Sequence, residues 1–275
     1  MAMTLHNKMK AQIYSTTGEK KQELELPSFF SEELRQDLIA KVFRQEKEGQ
    51  RQQYGVALFA GKRASAPGKV RHQRRRWRGA YGMGIARVPR KVMSRRGRRF
   101  FWQGAFAPGM TGGRMAHPAK AERVFTFKIN KKERLKALKS ALAATTSQKL
   151  LEQRYSFEGK LPLNLPIVLE RKIEEIQKVK ELEKTLHALL KTDHFFPEKS
   201  IRAGRGKMRG RKYKKTAGLL LVVSKADKLK GIKAFDVREA RELTLSDLAP
   251  GGVPGRLTIF SHPAILELQE RFKEK

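Results

Sequence analysis

From Gly49 to Ala121 the chain runs for 73 residues without one aspartate or glutamate, while carrying eighteen lysines and arginines. Its only valines, leucines and isoleucines are Val56, Leu58, Val70, Ile85, Val88 and Val92, and it holds twelve of the chain's 22 glycines. Ordering backbone costs roughly 1–2 kcal/mol per residue, whereas a fully buried aliphatic side chain returns about 1.5–3 kcal/mol. Six such side chains fall far short of ordering 73 residues. A connection of this length inside a compact domain is either functional or takes shape on a partner. The sequence therefore predicts a long, extended internal loop that orders against something outside the chain.

Its charge says what that something is. The 275-residue chain has 61 Lys+Arg against 27 Asp+Glu, a formal net charge of +34. The excess is concentrated. Residues 1–48 are balanced, with eight basic and eight acidic side chains, and residues 217–275 nearly so, with ten against eight. Residues 200–216, "SIRAGRGKMRGRKYKKT", repeat the pattern of the long stretch, with eight cations and no acid. Such segments repel themselves in isolation, so a polyanion is the expected partner.

The remaining residues read as one globular α/β domain, 1–48 with 122–275, into which 49–121 is inserted and within which 200–216 forms a second basic loop. "SEELRQDLIAKVFRQEKEG" predicts a helix capped by Ser31, with Leu34, Leu38 and Val42 on one face. "NKKERLKALKSALAATT" predicts another, with Asn130 and Glu133 in capping-box relation and Leu135, Leu138 and Leu142 inward. A third runs from about Glu170 to Leu190, burying Ile173, Ile176, Val179, Leu182, Leu186 and Leu189. Short apolar runs at 166–170, 218–224, 234–237 and 256–261 read as strands. "SHPAILELQERFKEK" reads as a final helix, with Pro263 in its first turn and Ile265, Leu268 and Phe272 inward. Apolar runs alternating with amphipathic helices predict a mainly parallel sheet with helices on both faces, a Rossmann-like layering. "AQIYSTTGEKKQELEL" adds paired strands at one sheet edge.

Eight of the 22 aromatic residues lie in the long basic stretch: Tyr54, Phe59, Trp77, Tyr81, Phe100, Phe101, Trp102 and Phe106. Arginine forks meet phosphate in bidentate fashion, and aromatic and guanidinium planes stack on unpaired bases. That mixture fits RNA. It does not fit DNA read through a major groove, because the sequence carries no helix-turn-helix, zinc finger or basic zipper. The cations expected on RNA are Lys62, Arg63, Lys69 and Arg71, then Arg74, Arg75, Arg76 and Arg78 around Trp77. After them come Arg87, Arg90, Lys91, Arg95, Arg96, Arg98, Arg99 and Arg114. In the second loop they are Arg202, Arg205, Lys207, Arg209, Arg211 and Lys212.

Catalytic signatures are missing. Gly82 and Gly84 sit within the basic stretch, out of dinucleotide-binding register. "GRGKM" lacks both the hydroxyl and the spacing of a phosphate-binding loop. His6, His72, His117, His187, His194 and His262 are not at metal-ligand spacing, and there is no cysteine. No cofactor, no metal and no catalytic residue is expected. The N-terminal residues lack the apolar run of a secretory signal, and the longest aliphatic run, "LLLVV", is too short for a bilayer. Neither a membrane nor a second copy of the chain is an expected partner.

Several stretches, in order, closely resemble one family: "YGVALFAGKRASA", "GMGIARVPR", "QGAFAPGMTGGRMAHPAKAE", "NKKERLKALKSALAATT", "IRAGRGKMRGRKY" and "LTLSDLAPGGVPGRLTIFS". They are similar to the universal ribosomal large-subunit protein four family in its archaeal form, without the C-terminal extension of eukaryotic members. The resemblance implies a structural, cytoplasmic ribosomal protein that binds large-subunit ribosomal RNA and neighbouring ribosomal proteins. It also implies that the long loop lines the nascent-peptide exit tunnel, with a tip at Arg74, Arg75, Arg76, Trp77, Arg78 and Gly79 that meets the nascent peptide transiently. Where relatives often carry a small "SWGTGR"-like stretch, this chain has the bulkier "RRRWRGAYG". Two other readings stand beside it. One is an RNA-modifying enzyme with an α/β cofactor-binding domain and basic RNA clamps. The other is a basic, chaperone-like protein that binds acidic partners.

Overall fold

The computed structural model describes residues 9–63, 66, 82–86, 88–97, 99–155, 163–192, 194–227, 229 and 235–273. In chain order the first elements are β1 (Lys10–Tyr14), β2 (Lys20–Glu25), α1 (Gln36–Gly49), β3 (Arg90–Arg96) and β4 (Arg99–Gly104). Then follow α2 (Lys131–Ala144), α3 (Gln148–Tyr155), β5 (Ile167–Leu169), α4 (Val179–Leu190), β6 (Lys199–Ile201) and β7 (Tyr213–Lys215). The last are β8 (Leu220–Val223), β9 (Asp236–Glu239), α5 (Leu245–Leu248), β10 (Thr258–Ser261) and α6 (His262–Lys273). The chain divides into two compact units, Met1–Gly49 with Thr126–Lys275, and Gln50–Phe125.

The first unit is built on a six-stranded sheet in the order β2-β1-β5-β10-β8-β9. Every neighbouring pair is parallel except the β1–β2 hairpin at the edge. All residues of β5, β8 and β10 are buried, as continuous apolar strands covered on both faces must be. Alternation along the strands sends Val168, Leu220, Val222 and Phe260 to one face, where α1, α2 and α6 supply Ile39, Val42, Leu142, Ile265 and Leu268. Ile167, Leu169, Leu221, Val223 and Ile259 point the other way, onto Leu151 of α3 and Leu182, Leu186 and Leu189 of α4. This is the mixed α/β layering with a mostly parallel sheet that the sequence pattern predicts.

Local details depart from the sequence reading wherever a distant partner competes. Ser31 does not cap α1. Its Oγ donates to the Ser28 carbonyl at the end of a 3-10 turn, Ser28–Ser31, and the helix begins at Gln36. The buried face of α1 is accordingly Ile39 and Val42, with Leu34 exposed. Asn130 precedes α2 without a side-chain cap, and Glu133 accepts from Lys41 Nζ at 2.9 Å. Reciprocal capping occurs at Thr244, whose amide donates to Asp247 Oδ2 at 3.1 Å. The expected long helix at 170–190 is broken into a 3-10 turn, Arg171–Glu175, and α4, with extended backbone at Ile176 and Lys178. Its first half buries Ile173, and Glu174 reaches the neighbouring strand ends.

One buried cation holds the sheet to the segment before β10. Arg256, 3% exposed, donates to the carbonyls of Gly218 (2.7 Å), Asp247 (2.8 Å) and Leu219 (3.3 Å), and pairs with Asp236. Nearby, Arg154 donates to the carbonyls of Val253 (2.7 Å) and Pro250 (3.0 Å), and burial lowers its pKa. Among the described residues, no helix is long and apolar enough to cross a membrane.

Candidate nucleic-acid interface

The unit Gln50–Phe125 contains an antiparallel hairpin, β3–β4, that the sequence reading treats as featureless loop. It pairs Lys91 with Gln103, Ser94 with Phe101 and Arg96 with Arg99, with a bulge between Val92 and Ser94. Residues opposite one another share a face. Val92 and Arg95 therefore lie with Phe100 and Trp102, whose rings meet edge to face at 5.4 Å. Lys91, Ser94 and Arg96 lie with Arg99, Phe101 and Gln103 on the other face, where every residue is exposed. That second face presents three cations around an open phenyl ring, with Arg96 directly across from Arg99. Like charges in that position destabilise an isolated hairpin. A phosphate ribbon reverses the sign of that interaction.

The second basic stretch is also a hairpin. β6 and β7 pair Lys199 with Lys215 and Ile201 with Tyr213, and the ladder is extended by the Arg202 amide donating to the Lys212 carbonyl at 2.8 Å. Its end is a 3-10 turn, Arg205–Arg209, closed by Gly210 in the left-handed region at φ 75°. All six strand residues are exposed, as are Arg202, Arg205, Lys207, Arg209, Arg211 and Lys212. A two-stranded hairpin wet on both faces has no core of its own. Its ring at Tyr213 is met by two cations, with Lys199 Nζ 4.2 Å and Lys212 Nζ 5.5 Å from its centroid. Among the described residues, Lys91, Arg96, Arg99, Arg202, Arg205, Lys207, Arg209, Arg211 and Lys212 have no carboxylate partner.

Unit 50–125 achieves its compactness with almost no aliphatic material. A Cβ on Gly113 would collide with the Ala107 carbonyl, so the backbone there closes on itself. Gly61, at φ +71°, lies so close to Arg114 Cβ and Phe106 Cε1 that a Cβ would sit 2.8 Å from each. Where the two arms of the unit meet, Tyr54 stacks on Phe125 (5.7 Å, 20°), and the Arg51 guanidinium lies 4.3 Å from the Phe125 centroid. Lys62 and Arg63 are exposed on the turn at 57–63, and Arg114 is half-buried. Arg90, also half-buried, donates to the Ala86 carbonyl at 3.3 Å. Lys69, Arg71, Arg74, Arg75, Arg76, Trp77, Arg78, Gly79, Arg87 and Arg98 lie outside the described residues.

Open α/β sheets bind cofactors at the carboxyl ends of their strands. Here the chain's own carboxylates take up those ends. Glu174 Oε1 accepts the Ser224 amide after β8 (2.8 Å) and the Ser261 hydroxyl at the end of β10 (2.5 Å). Glu170 accepts from Lys21 Nζ (2.5 Å) and Ser15 Oγ (3.3 Å), and the Lys21 hydrogen bond lowers its pKa. Glu239 Oε1 accepts the Ala226 amide at 3.2 Å. The hydroxyl of Ser261 also accepts the Ala264 amide at 3.2 Å, at the start of α6. Among the described residues, no three His, Asp or Glu side chains are grouped to hold a metal ion.

Four strands of the sheet (β5, β8, β9 and β10), the two acid-free hairpins and the glycine-closed unit lie along one stretch of sequence, residues 24–271, that matches the family model described as ribosomal protein L4/L1. The chain belongs to that family. Among relatives, the large ribosomal subunit protein uL4 of Methanocaldococcus jannaschii is 40% identical over 275 residues, spanning 96% of this chain and 100% of that protein. The proteins of the same name from Archaeoglobus fulgidus and Nanoarchaeum equitans are each 38% identical over 270 residues. They match 95% and 96% of this chain, and 99% and 98% of their own lengths. The L4/L1 assignment agrees with the resemblance read from the motifs. What motif reading missed in this family member is the stack of Arg51, Tyr54, Phe125 and Arg123, since Phe125 and Arg123 follow the first acid, Glu122. The alternation of charge and ring in "RKVMSRRGRRFFWQG" was the signal available for the hairpin.

Proposed function

We propose that this chain is a structural component of the large ribosomal subunit, in the cytoplasm, that binds large-subunit ribosomal RNA through residues 49–121 and 200–216. The observation that carries this reading is that both segments expose cations with no carboxylate partner among the described residues. Membership of the L4/L1 family and the identity of the uL4 relatives as large ribosomal subunit proteins support the ribosomal context. In this reading the long segment is an arm among RNA helices. Its tip at Arg74–Gly79 lies at the wall of the peptide exit tunnel, and the globular unit meets neighbouring ribosomal proteins. The protein is not an enzyme in this reading, because members of the L4/L1 family are structural components of the ribosome.

Two measurements test it. The chain should co-sediment with large subunits through a high-salt wash, and release into the supernatant would overturn the assignment. Replacing Arg74, Arg75, Arg76 and Arg78 with glutamine should lower the log–log salt slope of RNA binding by roughly 0.7–0.9 for each phosphate no longer neutralised. An unchanged slope would remove the loop from the RNA interface. The tunnel position has its own test: a photoreactive group at position 77 should crosslink to a stalled nascent peptide, and crosslinks to RNA alone would place the tip elsewhere.

A further inference from the structure

Unit 50–125 carries one feature that phosphate binding does not call for. Ala57, Phe59, Ala60, Gly61, Arg63 and Phe106 line a recess of about 460 Å3. Its walls are small side chains, two rings and the Arg63 side chain, and both rings are open to solvent, Phe59 at 57% and Phe106 at 39% exposure. Among the described residues neither ring stacks on another aromatic side chain. The recess depends on Gly61, whose left-handed turn brings the 57–63 segment against the Phe106 ring and the stem of Arg114. Lys62 and Arg63 are exposed on that same turn, and the buried Nε of Arg114 has no acceptor.

An apolar slot with two partly exposed rings, flanked by cations and lacking any acid, suits a ligand that is flat and carries negative charge on both sides. A nucleotide within a strand has that shape: a base between two phosphates. A paired base has its faces covered by neighbours in the helix and does not enter. We propose that this recess captures one unpaired nucleobase of bound RNA, stacked on Phe59 and Phe106, with the flanking phosphates on Lys62 and Arg63. The proposal rests on the RNA-binding reading and deepens it, because it assigns recognition of unpaired RNA to a site separate from the cationic hairpins. Stacking on an aromatic side chain is sequence-tolerant, since every base has a π-face, so the site distinguishes single-stranded from duplex RNA rather than one base from another.

The test uses the full chain and two probes at elevated salt, where phosphate attraction is weakened. One is a single-stranded RNA oligonucleotide with 2-aminopurine at its centre, the other the same strand annealed to its complement. The unaltered protein should quench the 2-aminopurine and prefer the single strand. Phe59→Ala should lose the quenching and weaken single-strand binding by about 5- to 150-fold, with the salt slope for the duplex unchanged. Phe59→Trp should keep both properties, which separates a missing stacking partner from a misfolded turn. Retention of quenching and preference by Phe59→Ala, or their loss in Phe59→Trp as well, would overturn the recess as a base site while leaving RNA binding intact. If polyglutamate displaces the oligonucleotide from the unaltered protein but not from Phe59→Ala, the occupant is an acidic protein segment and the proposal fails. Failure of the unaltered protein to bind either RNA in preference to polyglutamate would instead sink the RNA-binding reading itself.

Discussion

The two units of this molecule are held together by different physics. In the sheet unit the strands "IVL" and "LLVV" are wholly buried, and alternate side chains feed two separate apolar clusters. In unit 50–125 the described buried apolar residues are Ala105 and Ala107, and closure comes from glycine against backbone, as at Gly113, and from rings against guanidinium groups, as at Phe125. The first arrangement draws its stability from removing hydrocarbon from water. The second gains little that way and, among the described residues, leaves Lys91, Arg96 and Arg99 without a carboxylate partner. A region can thus be compact without being self-sufficient, and the deficit is electrostatic, which makes it correctable by a polyanion.

The largest effects that would break this comparison lie in the sheet unit. Arg256→Met leaves three backbone carbonyls without their donor and should cost about 3–5 kcal/mol in a urea titration; a loss under about 1 kcal/mol would mean the buried guanidinium is dispensable. Leu221→Ala, at a fully buried position of β8, should cost about 2–5 kcal/mol. In unit 50–125, Gly113→Ala should cost about 1–3 kcal/mol. That loss should be local, read as faster hydrogen exchange at the amide of residue 113 with the urea midpoint of the sheet unit unmoved. Arg96→Gln combined with Arg99→Gln should raise the stability of the free hairpin by about 0.2–1 kcal/mol, opposite in sign to the others. The same pair should reduce the salt slope of RNA binding by about 0.7–0.9 for each phosphate it ceases to neutralise. Destabilisation by that pair would remove the electrostatic account.

The smallest effect sharpens the contrast from the other side, because the sheet unit has acids to pair. A hydrogen bond from the Arg35 guanidinium holds the Asp37 carboxyl down to about 2, from an ordinary 3.8. A lowered folded-state value means the contribution is complete above pH 3.8 and disappears as pH falls towards about 2. The melting temperatures of the unaltered chain and of Asp37→Asn should therefore converge over that window. A constant difference down to the bottom of it would assign the effect of the substitution to something other than the ion pair. Unit 50–125 offers only Glu122 for a comparable device.

Much of this was legible in the residues. Continuous apolar runs at 166–170, 218–224 and 256–261 located three central strands, because burial on both faces demands unbroken hydrocarbon. The acid-free stretches located the two hairpins' cations, although not their strands: "KSI" and "YKK" carry no strand periodicity, and pair only because Glu198 and Thr216 bring their ends together. Caps were the least legible. Ser31, Asn130 and Glu133 all have the right chemistry, but Ser28, Lys41 and the 3-10 turn at 28–31 compete for them.

Charge segregation, hydrophobic period and the poverty of aliphatic residues between Gly49 and Ala121 are properties of composition and order, so the sequence alone determined the two-part organisation of stability and the expectation of a polyanionic partner. The break at 176–178, the burial of Arg256, Glu174 as a bridge between two strand ends and the recess beside Gly61 were decided only by the tertiary structure. Arg256 and Glu174 satisfy carbonyls, an amide and a hydroxyl tens of residues away, and Gly61 closes on Phe106 and Arg114 at similar separations. Which distant group arrives first is a matter of three-dimensional geometry, and no local pattern encodes it.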